Sequence, residues 1–314
     1  MSADAVDAAA VGAAPTVSVV LIFHDDHRFL PEAIAGVFAQ TYRDWELVLA
    51  DDGATDGSTD LARACAREHP GRVRHVEHPA HANRGPAAAR NLGVRAARGR
   101  YLAVHDADDV WEPDKLAEQV AILDRHPQVG LVVGASRYWW SWAGAAAERE
   151  DRIMPIGVEP DRIHRPPELA VRLSPLGRGV APCPSSWLLR RELVEQIGGW
   201  EEHVHPVLED QGFLGKAYLV ADVWVSSRVW DRYRRHPGQL VAVTTGEHYH
   251  AALRDWLTWY EAHLRARGVT DPRLRRALRR AWLPYRRPWL AALRHAAGRR
   301  RARLRVLLRD RGGR

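Results

Sequence analysis

Two pairs of aspartates in the first third of the chain have the spacing to hold a divalent cation beside a phosphorylated ligand. Asp51 and Asp52 end one apolar run, and Asp106 and Asp108 follow another. Residues two apart in extended backbone point to the same side, so Asp106 and Asp108 can share one hard cation such as Mg²⁺ or Mn²⁺. Such an ion keeps coordination positions for phosphate oxygens. For a single Asp-x-Asp motif the common alternative is a solvated acidic loop before a helix, so the surrounding elements decide.

The elements that must position these groups alternate between strands and helices. Apolar, β-branched runs predict five strands separated by segments of helical periodicity. The predicted strands are Val17–Phe23, Trp45–Ala50, Val73–Val76, Tyr101–His105 and Val129–Val133. This alternation is typical of an α/β fold with a mostly parallel central sheet and helices on both faces. Ligands bind such sheets beyond the carboxyl ends of the strands, where both aspartate pairs fall.

Cysteine usage and hydropathy exclude several classes of protein. Cys65 and Cys183 are too few for a disulfide framework and too far apart for a CxxC metal site, which indicates a reducing compartment. No uncharged apolar run approaches the ~20 residues that span a bilayer. We therefore predict a cytoplasmic protein and exclude secreted mini-proteins and integral membrane proteins.

Positive charge is concentrated at the end of the chain. Residues 271–314 contain sixteen Arg and two Asp, a charge of +14, so the preceding 270 residues carry −7 of the whole-chain charge of +7. The favoured interpretation is that helices pack on the acidic body and expose their arginines. The alternative is peripheral contact of 271–314 with an anionic membrane, at the inner face of the cell membrane. Nucleic acid is not expected as a partner, because no recognised binding module accompanies the charge.

Several ordered motifs resemble the family 2 glycosyltransferases of bacterial type, which are inverting enzymes of the GT-A fold. The matching segments of the first half are VSVVLIF, AQTYRDWELVLADDGATDGS and NRGPAAARNLGVRAARGRYLAVHDADDVWEPDKL. Later, Leu208–Gln211 and Trp230–Pro237 resemble the family's second acidic motif and its YRxHP segment, so the resemblance covers about residues 16–240.

The resemblance implies a hexosyl- or N-acetylhexosaminyltransferase. The enzyme would move a sugar from a nucleotide-diphosphate sugar to the hydroxyl of a glycan, lipid-linked or small-molecule acceptor, in cell-surface polysaccharide or glycoconjugate synthesis.

The composition and periodicity of the chain, together with the resemblance, predict a division of the chain. Residues 1–15 are expected to form a disordered leader, and 16–245 a GT-A domain. Within that domain 16–133 would bind the nucleotide and 134–245 the acceptor. Residues 246–314 would form a basic, helical C-terminal appendage.

Roles for the aspartates follow from the same resemblance. Asp52 would accept the N3–H of uracil, and because a carboxylate only accepts hydrogen bonds, it favours a UDP-sugar over a cytidine-linked one. Asp106 would meet the ribose or the metal, and Asp108 would hold Mn²⁺ or Mg²⁺ against the diphosphate. The cation would stabilise charge on the departing nucleotide as a Lewis acid.

Five further residues are candidate donor contacts. Phe23 and His24 end the first strand near the expected nucleobase, although the family's Pro-Thr-Tyr-Asn is replaced here by Ile-Phe-His-Asp. Arg90 is a candidate contact to the diphosphate or the base. Arg234 and His236 would close over the phosphates, to which a planar guanidinium is well suited.

Asp210 is the candidate catalytic base. In an inverting transfer it would take the proton of the acceptor hydroxyl late, as that hydroxyl bonds to the oxocarbenium-like carbon. Like-charge repulsion from Glu209 would raise the basicity of Asp210. Trp140 and Trp142 are candidate stacking contacts for the acceptor sugar, with a position at the edge of the core as the alternative.

Two other functions are compatible with parts of this pattern. A non-catalytic nucleotide-sugar binder that regulates or scaffolds would have little need of all four of Asp52, Asp106, Asp108 and Asp210. A nucleotidyltransferase would need a glycine-rich loop with Arg or Lys after the first strand, and HDDHRFLPE is not one.

Overall fold

A central sheet of ten strands organises the computed structural model, which describes residues 14–147 and 149–287. Runs of β-branched and other apolar residues form its middle strands, and β1 is buried at all seven positions. The strands in chain order are β1 Val17–Phe23, β2 Trp45–Asp51, β3 Val73–Glu77, β4 Tyr101–Asp106, β5 Val110–Trp111, β6 Val129–Trp139, β7 Arg152–Met154, β8 Arg162–His164, β9 Leu188–Arg190 and β10 Asp222–Arg234.

Helices cover both faces of the sheet. They are α1 Leu30–Phe38, α2 Ser58–Glu68, α3 Pro86–Ala96, α4 Lys115–Arg125, α5 Glu168–Arg172, α6 Arg191–Ile197, α7 Glu209–Val220, α8 Leu240–Val243, α9 Gly246–Ala266 and α10 Pro272–Arg286. Two hydrophobic clusters, one on each face, form the core. No helix of the described residues is both long enough and apolar enough to cross a membrane.

The sheet is mostly parallel, as predicted. Its main path runs β3-β2-β1-β4-β9-β6-β10-β5, with β7 beside β6 and β8 beside β10. β1 is parallel to both β2 and β4, and β6 is parallel to β10. β9 lies antiparallel between β4 and β6 and so joins the two parallel groups.

All five predicted strands are present, with one large difference. β6 extends six residues beyond its predicted end at Val133, because it pairs with β10 as far as Trp139. The remaining short strands lie where hydrophobic periodicity is weak. β7, β8 and β9 have only three residues each, too few to produce a recognisable alternation.

The predicted helical C-terminal region is confirmed for α9 and α10. α9 buries Trp256, Leu257 and Tyr260 in the core that also contains α7, and α10 adds Leu274 and Leu278. Helix packing on the body is therefore observed for this part of the region. The predicted leader, apart from residues 14 and 15, and the arginine-rich residues 288–314 lie outside the described residues, and the division into domains stays a prediction.

Candidate active site

One cleft lies at the carboxyl ends of the parallel strands. In the sheet Phe23 is level with Asp51, and Ile22 is level with Asp106, so the acidic ends of β2 and β4 flank the end of β1. The cleft has a volume of about 800 Å³, the size of a small-molecule site. The candidate residues that line it are Phe23, His24, Asp52, Arg90, Asp106, Asp108, Asp210 and His236.

The carboxylate of Asp52 organises the loop that forms one wall of the cleft. Its two oxygens accept the backbone N–H groups of Arg84 at 2.8 Å and Gly85 at 2.9 Å. Burial raises the pKa of Asp52, and these hydrogen bonds oppose the rise. Gly53 has a φ of +76°, and a Cβ there would lie 2.7 Å from the backbone nitrogen of Asn83. The loop can therefore approach β2 only because residue 53 is glycine.

Arg90 is the central cation of the site. It projects from α3, is almost fully buried, and hydrogen-bonds to Asp106 with one nitrogen and to Glu209 with another. Burial alone would lower the pKa of Arg90, but the charges of these two carboxylates outweigh it and raise the pKa above its ordinary value. Its guanidinium is thus occupied in joining β4 to α7, which favours positioning of the carboxylates over the predicted contact with the donor.

Glu209 and Asp210 are the first two residues of α7, and their carboxylates have different hydrogen-bond partners. Glu209 is bonded to Arg90, and burial raises the pKa of Glu209 while the charge of Arg90 opposes the rise. Asp210 accepts the backbone N–H of Gln211 at 2.7 Å, and burial raises the pKa of Asp210 to about 6. A carboxylate with a raised pKa that faces a cleft can accept a proton near neutral pH.

Asp108 is held from the opposite wall. Its Oδ2 atom accepts hydrogen bonds from His236 Nε2 at 3.1 Å and from Gln239 Nε2 at 3.2 Å. His236 therefore contacts the predicted metal ligand directly, in addition to lining the cleft. Its predicted contact with the donor phosphates stays a prediction.

Arg234 differs from its predicted position. The side chain is buried and absent from the cleft wall, because its guanidinium bonds to Glu32 at 2.5 Å and to the backbone oxygen of Asp108 at 2.7 Å. Phe29 and Trp142 lie against it. This arginine fixes the Asp108 loop, and the predicted direct contact with phosphate is not what the geometry favours.

The tryptophans predicted to meet the acceptor also lie outside the cleft wall. Trp142 packs edge-on against Phe29 and donates its indole N–H to the backbone oxygen of Arg235 at 2.9 Å. Trp140 packs near Tyr138, with ring centroids 6.0 Å apart. Tyr138, from the same aromatic run, lines the cleft instead. It reaches the cleft because β6 continues beyond its predicted end.

Asp26 is the main site residue that the sequence motifs missed. It lines the cleft close to Asp108, and burial, followed by the charge of Asp108, raises its pKa to about 7. Its position just beyond β1, in HDD, was a usable signal, since ligands bind beyond strand ends. Tyr233 and Gln239 also line the cleft.

The carboxylate oxygens of the cleft are suitable ligands for a divalent cation. Asp106 uses Oδ1 for Arg90 and Asp108 uses Oδ2 for His236, so among the described residues the other oxygen of each has no protein partner. Acidic side chains outnumber Arg90 here, and Asp26 and Asp210 add to the excess. Oxygen ligands and excess negative charge suit Mg²⁺ or Mn²⁺.

A separate group of possible metal ligands occurs outside the cleft wall. Ligand atoms of Asp51, His75 and Glu77 lie within 4.8 Å of one another, at the paired ends of β2 and β3. Asp51 Oδ2 already contacts His75 Nε2 at 3.2 Å and accepts the hydroxyl of Thr59 at 2.6 Å. Glu77 is paired with Arg63. These hydrogen bonds are sufficient to explain why the three side chains lie close together.

Asp231 beneath the cleft makes stability depend on pH. It is fully buried, accepts the Ser136 hydroxyl at 3.1 Å, and burial raises its pKa to about 7. Because this value exceeds that of the unfolded chain, its contribution to stability is present at low pH and is lost as pH rises to about 7. We compare the unfolding free energy of Asp231→Asn with that of wild type at two pH values. We expect this difference to be about 2 kcal/mol more favourable to the variant at about pH 8 than at about pH 5.

Urea unfolding at the two pH values measures this effect. Asp60→Asn, at an exposed carboxyl on α2, is the matched control and should leave the difference from wild type unchanged. A difference for Asp231→Asn that is independent of pH would show that Asp231 is ionised throughout.

Comparisons with known proteins agree with this architecture. The family model described as Glycosyl transferase family 2 matches residues 18–198, more than half of the chain. The chain belongs to this family.

Relatives with assigned names match a shorter part of the chain. EpsE of Bacillus subtilis, assigned as a glycosyltransferase, is 34% identical over 146 residues, which are 46% of this chain and 50% of EpsE. TuaG of the same organism, assigned as a teichuronic acid biosynthesis glycosyltransferase, is 32% identical over 35% of this chain and 42% of TuaG. The match thus spans half or less of these relatives.

Solved structures share the fold. S. aureus TarS 1–349 in complex with UDP-GlcNAc has a TM-score of 0.58 at 18% identity, covering 77% of this chain and 66% of that one. The mannosyltransferase PcManGT from Pyrobaculum calidifontis, in complex with GDP-Man and Mn²⁺, has a TM-score of 0.58 at 23% identity, covering 92% and 76%. At these identities the likeness concerns the fold alone, and it confirms the predicted GT-A fold.

Proposed function

We propose that the protein is a metal-dependent, inverting glycosyltransferase. It would move a hexosyl or N-acetylhexosaminyl group from a UDP-sugar to an acceptor hydroxyl. The observation that carries the proposal is the meeting of Asp52, Asp106, Asp108 and Asp210 in one cleft, although they come from three distant stretches of the chain.

The donor would lie along the ends of β1, β2 and β4. Asp52 offers only hydrogen-bond acceptors, which suits the N3–H of uracil, and the 83–85 loop bonded to it shapes the adjoining wall. Phe23 and His24 line the same end of the cleft. Donors of this chemical class accompany two structural neighbours, TarS and PcManGT, which were solved with UDP-GlcNAc and with GDP-Man.

Asp106 and Asp108 would hold the cation. When bound, Mn²⁺ or Mg²⁺ supplies Lewis-acid stabilisation of the charge that develops on the departing diphosphate. Arg90 orients Asp106 and opposes the rise in the pKa of Asp106 that burial causes, and His236 and Gln239 orient Asp108. These hydrogen bonds prepare both carboxylates before a ligand enters, which reduces the cost of ordering them.

Asp210 would take the proton of the acceptor hydroxyl. In a single displacement the acceptor oxygen bonds to the anomeric carbon, the bond to the diphosphate breaks, and the hydroxyl proton passes to Asp210. Its pKa of about 6 leaves the carboxylate ionised at neutral pH and more basic than an ordinary aspartate.

The cellular role would be synthesis of surface polysaccharide or glycoconjugate in the cytoplasm. The support is the name of TuaG, which is assigned to teichuronic acid biosynthesis. Peripheral contact of 271–314 with an anionic membrane remains a proposal that liposome flotation tests, since equal partition of the full chain and of a chain lacking 271–314 would reject it.

A nucleotide-release screen tests the proposed function. UDP-, dTDP- and GDP-sugars are supplied with Mn²⁺, with and without an acceptor mixture, and the released nucleotide is measured. We expect release from one UDP-sugar, at least about tenfold slower in chelator and restored by added Mn²⁺.

Each part of the proposal has an outcome that would contradict it. Release unaffected by chelator would reject metal dependence, and a product with the anomeric configuration of the donor would reject inversion. Donor binding without release or transfer would favour the non-catalytic nucleotide-sugar binder.

A further inference from the structure

A second, smaller cavity adjoins the catalytic cleft and has the opposite charge. It has a volume of about 280 Å³, and the residues that line it include Arg172, Arg178 and Arg280 around the turn 177–179. Arg178 and Gly179 line both cavities. The two cavities therefore share part of one wall.

The arginines of this cavity are poorly compensated. Among the described residues, the exposed side chains of Arg178 and Arg280 have no hydrogen bond or ion pair, and no acidic residue lines the cavity. Arg172 contacts Glu168 at 3.3 Å, but Glu168 also contacts His164 at 3.2 Å. The cavity thus carries about two unpaired positive charges.

The convergence of these side chains is a property of the fold. Arg172 ends α5, Arg178 lies in the following turn, and Arg280 comes from α10, about one hundred residues later. Two other arginines of α10 have acidic partners, Arg273 in Asp271 and Arg286 in Glu261, whereas Arg275, Arg276 and Arg279 have no ion pair among the described residues. Like charges brought together without a partner repel one another, and a bound anion removes that cost.

The hydrogen-bond donors of the arginine cavity determine which type of anion it can bind. Guanidinium groups bind phosphate oxygens through paired hydrogen bonds. The backbone N–H groups of Gly177 and Gly179 are already bonded within the turn, to Leu173 at 2.7 Å and to Arg172 at 2.9 Å. Recognition therefore depends on the arginine side chains, and two unpaired positive charges match a phosphate group of charge about −2.

We propose that the arginine cavity binds a phosphate group of the acceptor while the acceptor hydroxyl reaches Asp210 in the cleft. This inference rests on the proposed function. It narrows the acceptor to a phosphate-bearing molecule, either a soluble phosphorylated saccharide or a lipid phosphate.

Binding of inorganic phosphate tests the cavity without any turnover. The full chain is titrated calorimetrically at constant ionic strength in chelator, because the metal-free cleft is rich in carboxylates and repels phosphate. We expect one phosphate site, with binding weakened about tenfold or more in Arg178→Gln and in Arg280→Gln.

Arg276→Gln is the matched control. It removes the same charge from the same helix, and Arg276 is exposed as Arg280 is, but Arg276 lines neither cavity. Unchanged phosphate binding in this variant supports a specific site. Equal weakening in Arg276→Gln and Arg280→Gln, or no weakening in either cavity variant, would overturn the proposal.

Acceptor pairs then distinguish the source of the phosphate and separate this inference from the proposed function. With the donor found in the release screen, hexose is compared with hexose phosphate, and neutral lipid vesicles with vesicles that carry a polyprenyl phosphate sugar. We expect a KM lower by about tenfold or more for one phosphorylated member, and loss of that preference in Arg280→Gln.

Transfer to neutral acceptors with no such preference would reject the inference alone. Arginine-dependent phosphate binding without any transfer would reject the enzyme and leave the anion site.

Discussion

Replacing Asp210 with Asn is expected to lower kcat for sugar transfer by about 10²–10⁴-fold while the donor binds with unchanged affinity. The amide has nearly the same shape but cannot accept the hydroxyl proton. Asp210 lines the cleft, and its hydrogen bond to its own helix, from the N–H of Gln211, is one that the amide oxygen can keep. Steady-state kinetics with the preferred donor, together with calorimetric binding of UDP, measures both quantities.

The pH dependence of the wild type gives a second measure of the same role. Because the base must be ionised and burial raises its pKa to about 6, kcat/KM should fall below about pH 6 and level off above it. Asp255→Asn, at an exposed carboxyl on α9, is the control and should retain both the rate and the profile. A retained transfer rate in Asp210→Asn with intact donor binding would assign the base to another residue.

Replacing Arg90 with Gln should cost about 3–5 kcal/mol of unfolding free energy at neutral pH. The substitution leaves the buried carboxylate of Glu209 and the half-buried carboxylate of Asp106 without their shared cation. Urea unfolding measures the loss. Since the two carboxylates can take up protons, the loss should be smaller at about pH 5 than at about pH 8.

Arg84→Gln is the comparison for this variant. Arg84 pairs with Glu202 at 3.1 Å, but its side chain is 53% exposed, so the loss should stay below about 1 kcal/mol. Similar losses in the two variants would mean that the Arg90 network contributes no more than a surface ion pair.

The residues predicted best from the sequence are those attached to strong strand patterns. Asp52, Asp106 and Phe23 each end or follow an apolar run, and parallel strands bring their carboxyl ends to one edge. Their meeting in the cleft follows from local sequence and a general property of sheets. Their individual roles toward donor and metal stay predictions.

The contacts that join distant segments could not be predicted in the same way. Arg90 and Glu209 are 119 residues apart, and nothing local to either residue indicates their ion pair. Arg234 lies in the expected motif, yet the side chain turns to Glu32, 202 residues away, instead of into the cleft. The arginine cavity likewise depends on α10 packing against α5, a contact that charge counting along the chain does not reveal.

Strand β9 has a mechanical consequence for catalysis. With only three residues, it hydrogen-bonds to β4 on one edge and to β6 on the other, so both sides of the cleft belong to one continuous ladder. The two flanking strands then lie about 10 Å apart, and stretching that spacing would break hydrogen bonds. We therefore expect substrates to enter and leave the cleft without hinge bending between the strands that β9 joins.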